Sequence, residues 1–294
     1  MTDEQWLADR FEENRSRLRA MAYRMLGSSA EADDALQDAW LRVSRAGAGD
    51  VDNLRAWLTT IVARVCLNML RARKTRRESS LDVRLPDPIV GPSDAMEPEQ
   101  EALLGDAVGL AMLVVLDQLA PAERVAFVLH DVFAVPFDAI APIVGRTPTA
   151  TRQLASRARR RVRGAPVPDA DLESQWAVVD AFLAAAREGD FERLLSVLDP
   201  DVVARSDGGA ARPNLVSETR GAEAVAAQAM SFRRFAETAT KVLVNGIPGG
   251  VAWAPDGTPF AVLALTVRAG RIVRIDVLAD PDRLARLDLT EIAS

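Results

Sequence analysis

Apolar residues recur at three- and four-residue intervals from Gln5 to Val43: Trp6, Phe11, Leu18, Met21, Ala22, Met25 and Leu26, then Ala35, Leu36, Ala39, Trp40 and Val43. That period predicts two amphipathic helices. Gly27-Ser28-Ser29 separates them, and either serine can cap the second. Its first turn holds Glu31, Asp33 and Asp34, where carboxylates suit the helix dipole. After a loop at 45–53, a third helix is predicted from Leu54 to about Arg77. Leu54, Trp57, Leu58, Ile61, Val62, Val65, Leu67 and Leu70 form its broad apolar face. Residues 79–100 contain Pro86, Pro88, Pro92 and Pro98, which excludes a regular helix and predicts a linker.

Helical spacing resumes from Glu101 to Leu119. Pro121 opens a helix to about Phe133, and Pro136 opens a short one, PFDAIAPIV, which Gly145 ends. Pro142 inside it is expected to kink it. Thr147-Pro148 reads as an N-cap with proline at the first helical position, starting an arginine-rich helix that runs to Gly164. Short helix, tight turn and longer helix make a helix-turn-helix pattern. A second linker, GAPVPDAD, covers 164–171. Beyond it the pattern changes. A helix at Trp176–Arg187 and another at Ala222–Ala236 accompany alternating segments at 202–205, 241–245, 251–254, 260–268 and 271–278. These read as strands, with Ala269-Gly270 as a hairpin turn. The expected closing domain is a small α+β fold.

Charge changes this picture. The chain of 294 residues has a net charge of -6, yet Arg64–Arg77 and Arg146–Arg163 are basic blocks without an acid. Two local cationic segments on an acidic chain point to local contact with a polyanion. Cys66 is the single cysteine, so no disulfide framework and no cysteine-based zinc site is available, which fits a reducing cytoplasm. The first residues, MTDEQWLADRF, are too acidic and polar for a signal peptide, and no apolar run approaches membrane-span length.

On the arginine-rich helix, Thr149, Arg152, Gln153, Ser156 and Arg157 lie near the start, where a recognition helix meets base edges. Arginine forks onto guanine and glutamine onto adenine. Arg152, Ser156 and Arg159 share one broad face. Arg160, Arg161 and Arg163 suit phosphates. The first basic block, interleaved with Trp57, Thr59 and Asn68, suits one strand of an opened duplex. The bland alternative for each block is a solvated helix face. The only histidine, His130, sits on an apolar helix and reads as a packing residue. Acid-base chemistry in the last domain would rest on Asp207 or on Asp276, which either points into a pocket or pairs with Arg274.

"EADDALQDAWLRV" (31–43), "NLRAWLTTIVARVCLNMLRARK" (53–74) and the helix-turn-helix with its preceding helix resemble, in order, successive segments of bacterial extracytoplasmic-function (ECF) sigma factors. The resemblance covers residues 5–163. It extends to a group of that family with a fused SnoaL-like domain, a cone-shaped α+β fold of the nuclear transport factor type. Three short motifs mark that group, here present as "RLPDP" (84–88), "SDGGA" (206–210) and "ADPDRL" (279–284). Arg84 stands where tryptophan is usual, Ala210 replaces a third glycine, and Arg283 replaces a lysine.

The resemblance implies two all-α sigma domains followed by that α+β domain. The divisions are 1–78 for sigma region 2, 79–100 for a linker, 101–164 for sigma region 4, 165–171 for a second linker and 172–294 for the SnoaL-like regulatory domain. It implies core RNA polymerase, through its beta-prime and beta subunits, and promoter DNA as partners of a cytoplasmic protein that is monomeric when free. No cofactor and no metal site is implied. Asp34, Gln37, Asp38, Trp40 and Leu41 match the polymerase-docking segment. Asn53 ends a loop that captures a flipped −10 base, and Arg64, Asn68, Arg71 and Lys74 face the opened strand. Thr149, Arg152, Gln153, Ser156 and Arg157 match the −35 readers. Leu85, Pro86, Asp87 and Pro88, with Asp207, Gly208, Gly209, Pro281 and Asp282, form a regulatory contact by which the last domain holds the linker. The alternative reading is a bifunctional protein whose SnoaL-like domain binds or converts a small molecule.

Overall fold

The computed structural model describes residues 3–47, 52–77, 84–93, 110–164, 168–290 and 292. They fall into two compact units, one formed by residues 3–47, 52–77 and 113–164, the other by residues 84–93, 110–112 and the chain from 168 onward.

The first unit opens with α1 (Asp3–Leu26), α2 (Ser29–Ala46) and α3 (Leu54–Arg77). Gly27 takes a φ of 74°, which reverses the chain, and the Ser28 hydroxyl accepts the Glu31 N–H at 3.3 Å to cap α2. Leu18, Met21, Met25, Leu36, Leu58, Val62 and Leu67 are fully buried between the three helices, as the sequence period requires. Residues 48–51 of the loop at 45–53 lie outside the described residues.

Next come α4 (Leu110–Asp117), α5 (Pro121–Phe127), α6 (Phe137–Val144) and α7 (Pro148–Val162). Residues 101–109, where the sequence predicts the start of a helix, are outside the described set. The helix expected from Pro121 to Phe133 widens at Val128–Val132 into a π-helical turn. His130 lies in that turn, stacked on Phe137 with ring centroids 3.9 Å apart, and its Nδ1 is 3.0 Å from the Val135 carbonyl. It is a packing residue, as its apolar surroundings suggested. Helix α6 runs through the exposed Pro142 and stops at Gly145, which adopts the left-handed conformation (φ 68°). The Thr147 hydroxyl caps α7 by accepting from Ala150 N–H at 3.2 Å, with Pro148 in the first turn.

In the second unit the described elements are β1 (Val90–Pro92), α8 (Leu172–Glu188), α9 (Phe191–Val197), β2 (Leu198–Asp207), β3 (Ser217–Arg220), α10 (Ala222–Ser231), α11 (Arg233–Ala236), β4 (Thr240–Val244), β5 (Ile247–Trp253), β6 (Pro259–Arg268), β7 (Arg271–Leu278) and α12 (Pro281–Leu284). One seven-stranded sheet has the order β1-β4-β5-β6-β7-β2-β3. All neighbours are antiparallel except β2 and β7. Irregularities at Ala252/Trp253 and Thr266/Val267 interrupt the ladders, and such bulges bend and twist a sheet. Helices α8, α9 and α10 pack against the sheet in a core with Val179, Phe182, Leu194, Val225, Leu265 and Ile275.

Several features of this unit depart from the sequence expectation. Helix α9 and strand β3 were not foreseen, and the helix expected at 222–236 breaks at Phe232. The predicted linker also contributes β1, whose Val90 opposes Val244 and Pro92 opposes Val242. A proline lacks a ladder donor, so this segment is admissible only at a sheet edge, where it lies. The second linker is anchored too. Asp169 accepts Ala269 and Gly270 N–H at 3.0 and 3.2 Å, and its own N–H donates to Val267 O at 2.9 Å. Residues 165–167 lie outside the described set. Among the described residues, no helix is long and apolar enough to cross a membrane.

Candidate nucleic-acid interface and linker dock

Helix α7 buries Thr151, Ala155 and Ala158 against its own unit, which turns Thr149, Arg152, Gln153, Ser156 and Arg157 to solvent. The Arg152 guanidinium lies over Phe137, 5.4 Å from the ring centroid, which restricts its flexible stem while leaving its donors exposed. The trailing arginines separate into two kinds. Arg159 pairs with Asp131 at 2.5 Å and Arg161 with Glu123 at 3.1 Å, so they are tied to the helix-turn-helix body. Arg157, Arg160 and Arg163 make no ion pair among the described residues. The uniform phosphate-binding run read from the sequence is therefore reduced by intramolecular pairing.

On α3, Arg64, Asn68, Arg71 and Lys74 are exposed at three- and four-residue spacing and share one stripe. Thr59, grouped with them from the sequence, is buried instead. Its hydroxyl donates to Arg55 O at 2.7 Å and accepts from Arg17 at 3.1 Å. Asn53 caps α3, its side-chain oxygen accepting from Ala56 N–H at 3.0 Å. On α2, Asp34, Gln37 and Leu41 are exposed, Asp38 is half-buried and pairs with Arg42 at 2.8 Å, and Trp40 packs on Phe11 at 5.3 Å.

Between these helices lies a buried ionic cluster. Arg124, about 1% exposed, donates to Asp117 at 2.9 Å and, more weakly, to the Arg24 carbonyl. Arg73 donates to Leu26 O at 3.0 Å and pairs with Asp117 at 3.4 Å and with Glu31. Arg17 and Arg24 lie over the Phe133 ring at 5.6 and 5.3 Å. Thus α3 and α5 are joined through charges that are costly to leave unpaired.

The second unit has a different site. Asp207 ends β2 almost fully buried. Its Oδ2 accepts from Leu85 N–H at 2.8 Å and from Arg283 Nη1 at 2.6 Å, while Oδ1 accepts from Gly209 N–H at 3.1 Å. Arg283 also donates to Asp87 at 2.5 Å and to the Leu85 carbonyl. Leu85, Pro86 and Pro88 are buried. Further along, Ile89 N–H donates to Asn245 Oδ1 at 2.6 Å, and Asn245 N–H donates to Ile89 O at 2.8 Å. This is strand addition to a sheet edge, with side-chain pockets supplementing the main-chain bonds. A Cβ at Gly208 would overlap the Arg212 carbonyl, and one at Gly209 (φ 59°) would overlap the Asp280 carboxylate. Ala210 is exposed, which explains why the third position of that motif tolerates a side chain.

The sequence matches sigma-70 region 2 over residues 10–76 and sigma-70 region 4 over residues 110–162. The ECF RNA polymerase sigma factor SigJ of Mycobacterium tuberculosis is 36% identical, covering 96% of this chain and 94% of that protein. The chain belongs to the ECF sigma factor family. The "Probable ECF RNA polymerase sigma factor SigI" of the same organism is also 36% identical, over 92% of each chain. The crystal structure of M. tuberculosis SigJ superposes with a TM-score of 0.78 at 34% identity, covering 96% of this chain and all of that one. The architecture is two helical sigma regions followed by a SnoaL-like α+β domain.

In this sigma factor the three short motifs at 84–88, 206–210 and 279–284 converge on one dock. Of the residues expected there, Gly208 and Gly209 form the turn after Asp207, and Pro281 and Asp282 make no hydrogen bond to the linker among the described residues. Asp282 is exposed, and Pro281 serves as the first residue of α12. The motif acts instead through Arg283, which the sequence reading noted only as a replacement for lysine. A buried carboxylate such as Asp207 needs a cation, and Arg283 is the one that its own motif supplies. Asn245 and Arg212 were also missed. Arg212 donates to Phe260 O at 2.8 Å and Ala279 O at 2.9 Å.

The SnoaL-like domain of this sigma factor has a partly open cavity of about 120 Å³ between its helices and the sheet. Strand alternation decides which residues reach it. Ser206, Ile275 and Val277 line it, whereas Asp207 and Asp276 do not. Asp276 pairs with Arg274 at 2.9 Å, one of the two alternatives left open by the sequence. Burial pushes its carboxyl above the usual carboxylate range, and the Arg274 charge opposes that shift.

Proposed function

We propose that this ECF sigma factor uses its linker dock to restrain promoter recognition in cis. Membership of the family implies binding to core RNA polymerase and promoter DNA. The observation that carries the regulatory reading is the Asp207–Leu85–Arg283–Asp87 network. It holds the chain that joins the two sigma regions on the SnoaL-like domain. A linker bound at 84–92 has less freedom to let those regions take up separate DNA elements, so polymerase binding must work against the dock.

In this reading the exposed face of α2, with Asp34, Gln37, Asp38, Trp40 and Leu41, meets the beta-prime subunit of polymerase, and the beta subunit completes the contact. Asn53 borders the pocket for a flipped −10 base. Arg64, Asn68, Arg71 and Lys74 follow the opened strand. Thr149, Arg152, Gln153, Ser156 and Arg157 read the −35 element from the major groove. The exposure of Asp34, Gln37 and Leu41 on α2, and of the residues named at Asn53 and on α3 and α7, supports those roles. Neither carboxylate candidate reaches the cavity and its lining has no titratable side chain, which favours ligand binding over turnover in that domain.

In vitro transcription with core enzyme tests the proposal. Full-length protein, Asp207→Ala and a chain ending before residue 165 should differ in promoter output at equal sigma concentration. Equal output from all three would overturn the regulatory reading.

A further inference from the structure

The cavity in the SnoaL-like domain has a distinctive chemistry. Its walls are almost wholly apolar, with Phe182, Phe232, Phe235 and Phe260 supplying aromatic surface. Phe235 and Phe260 stack in parallel, with centroids 3.7 Å apart and planes 6° apart. Ser206 and Gln228 are the two polar side chains in the lining, and neither is charged. The Gln228 side-chain oxygen is buried with no hydrogen-bond partner among the described residues. Leaving such a group unsatisfied is costly, so a complementary group should be favoured.

Size narrows the occupant. An engineered apolar cavity of about 150 Å³ in another protein accepts benzene. The volume of about 120 Å³ found here suits one ring with a small substituent. A charged ligand would be desolvated without a counter-ion. A hydroxyl satisfies Gln228 whichever way its amide is turned, because a hydroxyl both donates and accepts.

One wall of the cavity is the reverse side of the linker dock. Ser206 precedes Asp207. Leu215 packs on the backbone of Gly208, where a Cβ would come within 2.9 Å of its own Cβ. Phe260 lies under the Arg212 guanidinium, 4.5 Å from ring centroid to cation. The carbonyls of Phe260 and Ala279 both accept from Arg212, and Ala279 N–H donates to the Asp207 carbonyl at 2.7 Å. A molecule pressing on Phe260 and Ala279 therefore acts on groups bonded directly to the dock.

We infer that the SnoaL-like cavity binds a small, uncharged, single-ring aromatic alcohol through Gln228, and that occupancy alters the hold of Asp207 on Leu85. This deepens the regulatory reading of the dock and rests on it. The ligand measurement, however, requires neither polymerase nor promoter, so the two readings can fail separately.

Calorimetry on the full-length protein with phenol, p-cresol, benzene and benzoate tests the site. Phenol or p-cresol should bind about tenfold more tightly than benzene, the factor for one net hydrogen bond, with benzoate weakest. Gln228→Leu should bring phenol and benzene together. Ala229→Leu, which fills the cavity, should abolish binding, with its thermal unfolding measured to establish that it folds. No saturable binding of any aromatic, or phenol binding unchanged by Gln228→Leu, overturns the site. Hydrogen exchange at Leu85 N–H should change when p-cresol is bound. Binding with unchanged exchange there overturns the coupling.

Discussion

Arg283 donates to Asp207 at 2.6 Å across an ion pair that leaves only 10% and 5% of the two side chains exposed. The same guanidinium reaches Asp87 and the Leu85 carbonyl, so one side chain joins all three linker-dock motifs. Removing Arg283 strands the Asp207 carboxylate, and removing Asp207 leaves Arg283 with Asp87 as its one carboxylate among the described residues. Asp207→Ala is expected to cost about 3–5 kcal/mol of stability, measured by urea unfolding. Asp87→Ala should cost less, because Asp87 is more exposed and Arg283 keeps Asp207.

The two glycines after Asp207 should tolerate substitution very differently from Ala210. Gly209→Ala places a Cβ on the Asp280 carboxylate and forces a left-handed conformation, a penalty of at least about 1–2 kcal/mol. Ala210→Gly, at an exposed position, should stay within about 0.5 kcal/mol of the parent. Thermal unfolding of the two variants checks the contrast.

In the helical unit, Asp117 stands between Arg73 and Arg124. Asp117→Ala removes the carboxylate shared by Arg124 and Arg73, of which Arg73 keeps Glu31, and should destabilise that unit by about 3 kcal/mol, with earlier loss of helical circular dichroism on heating. A fall comparable to an exposed ion pair, about 0–1 kcal/mol, would place the cluster in solvent contact.

The arginines of α7 are expected to separate by function. Arg152→Ala should relax base preference in the −35 element by about 1–3 kcal/mol. Arg160→Ala should weaken binding to all sequences alike and lower the salt slope by about one. Arg159→Ala should mainly lower stability, because it breaks the pair with Asp131. Promoter binding by holoenzyme, titrated with salt, distinguishes these outcomes.

Complete burial pushes the Cys66 thiol up to about 12. The reactive thiolate is scarce at neutral pH, so native protein should resist alkylation that the urea-unfolded chain undergoes readily. The labelling rate should rise in step with global unfolding. Rapid labelling of the native protein would contradict the packing of α3.

The helices of the first unit were legible because each is specified locally. Ser28 and Thr147 supply caps, Gly27 and Gly145 supply reversals, and the apolar spacing along α3 selects its buried face. The exposed candidates on α2, α3 and α7 follow from the same spacing, since the faces opposite the core had to remain in solvent. The hairpin at Ala269-Gly270 was equally local, with both residues at positive φ.

By itself, then, the sequence determined the helices of the sigma regions and five strands of the α+β domain, while the resemblance of its motifs to the ECF family supplied the order of the regions. Local period, caps and turn residues encode those helices and strands within a few residues of one another. Only the tertiary structure decided that the proline-rich linker becomes an edge strand, that Arg283 rather than Asp282 holds it, and that Arg159 and Arg161 are already paired. It also decided that Asp207 and Asp276 avoid the cavity while Gln228 meets it. These outcomes depend on groups distant in the chain, and pairing of a buried charge or amide is satisfied by whichever partner the packed fold brings within reach.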